Sequence, residues 1–212
     1  MKIFKAISFF SKTKIDSSVS KFSIPSTFLD NVPQDIQDKI QEIQKKIGFI
    51  PNIFLLLSRR PVECKAFVDY HDSLMTQTNS SITKSEKEMI VVATSGLNHC
   101  QYCVVAHGAI LRIYEKNAVI SDQISINYKK TDLSLRHKLI LDFAVKVSKD
   151  SENMKEEDYE LMYQNGFNEE DLWDIVNVSA FFAMSNRVAN ASFLKPNVEF
   201  FNMGRIKKIK EK

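Results

Sequence analysis

Helical punctuation, with no competing strand pattern, sets the limits on what this chain can fold into. Only 5 Gly and 5 Pro interrupt 212 residues. No alternating polar and apolar run is closed by an Asn-Gly or Asp-Gly pair, the usual hairpin signal. Apolar residues recur instead at helical spacing between start and stop signals. Ile36, Ile40, Ile43 and Ile47 share one face; Asn31-Val32-Pro33 precedes them and Gly48 ends them. Pro51 and Pro61 bracket a short apolar segment, Ile53 to Leu57, and Pro61 opens a helix carrying Val62, Ala66, Phe67, Tyr70 and Leu74. The polar tract from Thr76 to Ser81 reads as a loop. Thr83 and Glu86 form a capping box for a helix reaching about Leu97. A further helix runs from Cys100 to about Lys116, making a helical hairpin with it. Thr131 is the next capping signal, before Leu135, Leu139, Ile140, Phe143 and Val147. Gly166 ends a helix containing Tyr159 and Met162, and Asn168 caps one running to about Asn190. The pattern predicts an all-α domain of about seven to nine helices.

Length allows one ordinary core, and the boundaries fall at 24–200, with a tail at 1–23 and a basic tail at 201–212. Hydrophobic residues at 44% and charged residues at 26% match a folded globular chain. The net charge of +3 is small and its lysines are dispersed, which gives nucleic-acid binding little support. No apolar run approaches the roughly 20 residues of a membrane span. Three cysteines, two of them close together, do not make a secreted disulfide framework. A reducing, cytoplasmic setting is expected. Lys2, Lys5, Lys12 and Lys14 precede the first acid at Asp16, so the first 23 residues also fit an organellar transit peptide, although they lack arginine.

The chemistry concentrates in His99-Cys100-Gln101-Tyr102-Cys103-Val104-Val105-Ala106-His107-Gly108. Two thiols three positions apart at a helix start can close a small disulfide ring, while the helix dipole stabilises a thiolate. His107, four residues after Cys103, projects from the same helix face and can act as a base for the thiol. Glu88 lies roughly as far before the hairpin turn as His107 lies after it, so at ~1.5 Å per residue the two reach similar heights on antiparallel helices. A carboxylate there would fix the imidazole tautomer.

Glu88, eleven residues, Cys100-x-x-Cys103, three residues and His107 together resemble the signature of the alkylhydroperoxidase D family within the carboxymuconolactone decarboxylase-like fold. The surroundings of the cysteines resemble its peroxidase-related branch, as does Ala180-Phe181-Phe182 to Asn186-Arg187, so the similarity spans about Ser23 to Glu199. Alkylhydroperoxidase D has a relay histidine just before the second cysteine, where this chain has Tyr102. The resemblance implies thiolate attack on a hydroperoxide, a sulfenic acid, and closure of a Cys100–Cys103 disulfide. A dithiol reductant, protein or small molecule, would complete the cycle. It makes Cys103 the attacking thiol and Cys100 the resolving and partner-facing one, whereas helix-dipole reasoning gives Cys100 the lower pKa. It also implies a homo-oligomer, which suits the apolar 172–194 segment. Neither metal nor organic cofactor is required.

Other readings stand beside this one. The same dithiol could serve a redox sensor with negligible turnover, and the wider fold family includes decarboxylases that work without the cysteine pair. His99, Cys100, Cys103 and His107 could instead hold zinc. Cys64, among Val62, Ala66 and Phe67, reads as an ordinary partly buried thiol. His71 and His137 read as solvent-facing. Trp173, Phe181, Phe182 and Phe193 read as core or interface, and Arg187 with Asn186 as inter-helix contacts.

Overall fold

The computed structural model describes residues 17–25 and 29–205, and it is helical throughout, with no strand among those residues. Its α-helices in chain order are α1 (Gln34–Ile47), α2 (Asn52–Leu57), α3 (Pro61–Thr76), α4 (Lys84–Leu97), α5 (Gln101–Glu115), α6 (Ile120–Asn127), α7 (Leu135–Lys149), α8 (Glu156–Gln164), α9 (Glu169–Ala191) and α10 (Glu199–Asn202). Eight of these ten have seven or more residues, in keeping with the seven to nine expected. Most of the expected tails, residues 1–16 and 206–212, lies outside the described residues.

Local signals set most of the boundaries. The Thr83 hydroxyl accepts from the Glu86 N–H while the Glu86 carboxylate accepts from the Thr83 N–H, and Asn168 with Asp171 repeats the arrangement at α9. Each box satisfies two amides that the first turn leaves unpaired. Pro61 occupies the first turn of α3, and Gly48 ends α1 at φ 92°, a backbone region that suits glycine. Two expectations shift. Ser134, not Thr131, caps α7, accepting from the His137 N–H; Thr131 instead donates to the Asn127 carbonyl. Helix α6 lacks a side-chain cap and was not signalled by the sequence.

Helix α4 is the central element. Every residue from Glu86 to Ser95 is buried, and α5, α6, α7 and α9 pack around it. The helices can approach this closely partly because of Gly96: a Cβ there would come within 2.3 Å of the Ser125 carbonyl on α6. A helix buried on all sides must also neutralise its own polar residues. Lys87 is fully buried and reaches Asp174 on α9 at 2.9 Å and the Leu74 carbonyl at 2.8 Å. Asp174 also accepts from Ser80 and Gln77. This network closes the loop between α3 and α4 over the core.

The chain ends are tied across the domain. Lys21 N–H donates to the Ser192 carbonyl, and Lys195 N–H to that of Val19. The buried Arg112 guanidinium donates to the Phe200 and Met203 carbonyls and to Ser121, and Arg205 makes a two-pronged pair with Asp122. Phe200, held in this way, meets Phe49 edge-on and closes one side of a cavity beside α5.

Candidate functional site

The α4–α5 turn delivers the cysteine pair. His99 adopts a left-handed conformation, φ 52°, as the chain leaves α4, and Cys100 caps α5, its Sγ accepting from the Cys103 N–H at 3.4 Å. Helix α9 fixes this turn from the far side. Asn186, fully buried, donates to Ser95 at 2.9 Å and accepts from Asn98 at 3.0 Å, while Asn190 donates to the Asn98 carbonyl.

Both thiols are buried, Cys100 at 0% and Cys103 at 2% exposure, yet their surroundings separate them. The hydrogen bond from the Cys103 thiol, then the Cys103 backbone amide, the charge of His107 and a hydrogen bond from Asn186 hold Cys100 down at about 7, against the opposing effect of burial. Cys103 is pushed well above the ordinary thiol range, first by its bond to Cys100 and then by burial. The two directions put the first ionisation of the pair on the capping residue and keep the proton on the thiol one turn in. Helix-end reasoning anticipated that ordering.

Glu88 and His107 meet as the hairpin geometry required: Glu88 Oε2 lies 2.8 Å from His107 Nδ1, and both side chains are largely buried. The carboxylate accepts the Nδ1 proton and so leaves Nε2 as the nitrogen that gains and loses a proton at the site. Phe182 abuts the imidazole edge-on, with ring centroids 4.7 Å apart.

Cys103, His107 and Tyr102 line one cavity of about 420 Å³. Most of its wall is apolar, from Ile43, Ile47, Phe54, Phe67, Phe181 and Phe182. The Tyr102 hydroxyl accepts from the Ile53 N–H at 3.1 Å, so the residue just before the second cysteine anchors the start of α2 as part of that wall. Cys100 does not line the cavity.

Other expectations divide. His99 is exposed in the turn and outside the cavity lining, so it does not join the other site residues. No three His, Cys, Asp or Glu side chains gather in metal-binding geometry among the described residues. Cys64 is fully buried on α3, and burial pushes it up to about 11. Phe181 and Phe182 are core residues, while Trp173 and Phe193 are exposed. Arg187 is exposed and donates to the Ala183 carbonyl of its own helix. The inward partner at this level is Asn186.

His71, expected at the surface, belongs to the site. Its ring packs against Phe181 and Phe182 and lies 6.0 Å from that of His107. Its side chain is 31% exposed and its Nδ1 lies 3.1 Å from Asp72 Oδ1; partial burial, and then the charges of His107 and Lys39, lower it from the usual histidine range. Nothing in the polar sequence Tyr70-His71-Asp72 signalled this, because the enclosing aromatics arrive from α9.

Comparison with known proteins gives the chain its relatives. The carboxymuconolactone decarboxylase family model matches residues 64–118, a segment containing Glu88, Cys100, Cys103 and His107. A peroxidase-related protein from Ralstonia eutropha JMP134, described as an alkylhydroperoxidase AhpD core, is similar at 50% identity with a TM-score of 0.86, covering 91% of this chain and 100% of that one. A peroxidase-related protein from Silicibacter sp. TM1040 is similar at 34% identity and TM-score 0.83, with the same coverage of 91% and 100%. The debrominase Bmp8, in a complex with 2,3,4-tribromopyrrole, shares the fold at 16% identity and TM-score 0.66, covering 88% of this chain and 95% of its own. No curated protein matches the chain.

Proposed function

Because this chain belongs to the alkylhydroperoxidase D-like family of peroxidase-related proteins, we propose that it is a thiol-dependent peroxidase that cycles Cys100 and Cys103 between dithiol and disulfide. The observation that carries this reading is the shared cavity: Cys103 opens onto it beside His107, whose Nδ1 is held by Glu88 at 2.8 Å. In the resting pair the thiolate is on Cys100, but the sulfur that can meet a substrate is Cys103. Cys103 passes its proton to Cys100 and attacks the terminal oxygen of the hydroperoxide. The O–O bond breaks, Cys103 becomes a sulfenic acid, and the departing alkoxide takes a proton that His107 Nε2 has accepted from solvent at the cavity opening. Cys100 then attacks the Cys103 sulfur, and its thiol proton leaves with the hydroxide as water. The sum is one hydroperoxide and two thiols giving an alcohol, water and a disulfide.

Reduction runs through the same opening. A dithiol attacks the Cys103 sulfur, since Cys100, expected to face the reductant, does not line the cavity. Cys100 leaves as the more stable thiolate, and the reductant's second thiol then attacks the mixed disulfide, releasing Cys103 and leaving the reductant as a disulfide. Burial of both sulfurs favours a small dithiol able to enter the cavity. The exposed α9 stripe of Trp173, Met184 and Val188 suits self-association, which light scattering coupled to gel filtration would detect. The test of the main reading is a hydroperoxide titration with excess dithiol: sustained turnover is expected. A single stoichiometric oxidation would instead identify a redox sensor, the alternative that the burial of the thiols favours.

A further inference from the structure

The cavity beside Cys103 has a graded polarity that restricts which hydroperoxide can fill it. Its volume of about 420 Å³ falls within the ~300–1,000 Å³ common for small-molecule sites. Its inner end is formed by Cys103, Ala106, Phe181 and Phe182, all buried. Its rim is formed by Ile113, Tyr114 and Lys46, all exposed. Three charged side chains other than the histidines face the cavity: Lys39, Lys46 and Asp72. Asp72 pairs with Lys39, on which Asp69 and Glu42 also act. Glu42 lies one turn before Lys46 on α1 but outside the lining, and Lys46 makes no ion pair among the described residues. The lining therefore carries one cation more than its anions, and that cation stands at the rim.

We infer that the cavity takes an amphipathic anion: an aliphatic hydroperoxide whose carboxylate stays at the rim beside Lys46 while its chain runs inward to Cys103. This inference rests on the peroxidase reading for the chemistry but not for the binding. The orientation follows from desolvation. A carboxylate driven into the apolar interior would lose its water without finding a partner, whereas each methylene placed there gains by leaving water. The chain supplies affinity and Lys46 supplies direction. An exposed ion pair is weak and screened by salt, so the lysine's share is modest.

The test uses the reduced wild-type protein and its Lys46→Gln and Lys46→Arg variants. The first readout is protection of Cys103 from alkylation by decanoate or by methyl decanoate. Decanoate should protect wild type, weaken about two- to fivefold in Lys46→Gln, weaken similarly with added salt, and recover in Lys46→Arg. The ester should protect all three equally. Equal responses to acid and ester, or no protection by either, overturn the inference. The second readout is turnover of linoleate hydroperoxide, its methyl ester and cumene hydroperoxide, where the free acid should have the lowest KM. Turnover of cumene hydroperoxide with no preference for acid over ester sinks the inference and leaves the peroxidase reading standing. Carboxylate-dependent protection without turnover of any hydroperoxide does the reverse.

Discussion

Replacing Glu88 by Gln removes one buried negative charge and keeps the side-chain shape. In wild type the carboxylate can only accept, so His107 Nδ1 carries the proton and Nε2 is free to take one. A Gln amide can present its NH2 group to Nδ1 instead and lock the opposite tautomer. A hydrogen bond to a charged group contributes ~1.5–3 kcal/mol, which at about 1.4 kcal/mol per tenfold predicts a loss of roughly 10- to 150-fold in the rate of thiol oxidation. His107→Gln removes the proton acceptor itself and should cost about 10²- to 10⁴-fold. If the two acted separately, the double variant would lose the product, about 10³- to 10⁶-fold. On one proton path it should be little worse than His107→Gln alone. Stopped-flow oxidation of the four proteins by one hydroperoxide measures all three losses. A double variant that shows the full product would refute a shared path, and an unchanged His107→Gln rate would make the histidine structural.

Mild oxidation should join Cys100 to Cys103 and leave Cys64 as a thiol, since burial holds Cys64 at about 11; peptide mass mapping that finds Cys64 in the disulfide would contradict this. The ultraviolet thiolate absorbance of the reduced protein should rise with pH through about 7 as Cys100 ionises, and Asn186→Leu, which deletes a stabilising hydrogen bond to that thiolate, should move the midpoint upward. A midpoint unaffected by the substitution argues against the role given to Asn186. Lys87→Met strands Asp174 in the core and should cost ~3–5 kcal/mol of stability. Thermal unfolding would register this as roughly 6–20 °C for a chain of this size, and a loss within error would mean that the network has repacked.

What could be read before the fold was known depended on how local each cause is. The capping signals at Thr83 and Asn168 each act within four consecutive residues; the box at Thr83 took the expected form, and Asn168, expected as a cap, forms a box with Asp171. The level of Glu88 with His107 follows from counting residues about a single turn, and the 2.8 Å contact agrees with that count. Helix α6 escaped notice because it is short and uncapped, and its buried Ile120 and Ile124 give too little periodicity for a pattern. Its place is set by Gly96 on another helix. His71 and Asn186 were underestimated for the same reason. Each looks polar among its chain neighbours; Asn186 becomes enclosed, and His71 partly covered, only when α9 crosses α3 and α4. Asn186 and Arg187 differ by one position, about 100° around the helix, and that rotation decides which one enters the core.

The complete burial of two sulfurs also bears on how the pair relates to the thiols around it. Thiol–disulfide exchange requires an incoming thiolate to approach one sulfur along the axis of the bond to be broken. Glutathione disulfide and the thiols of large proteins find no sulfur surface here to approach. The oxidation state of Cys100 and Cys103 is then kinetically insulated from the glutathione poise of its compartment, whatever the pair's own potential. Such a dithiol exchanges only through the cavity that Cys103 lines, so its redox state changes no faster than small molecules enter that cavity.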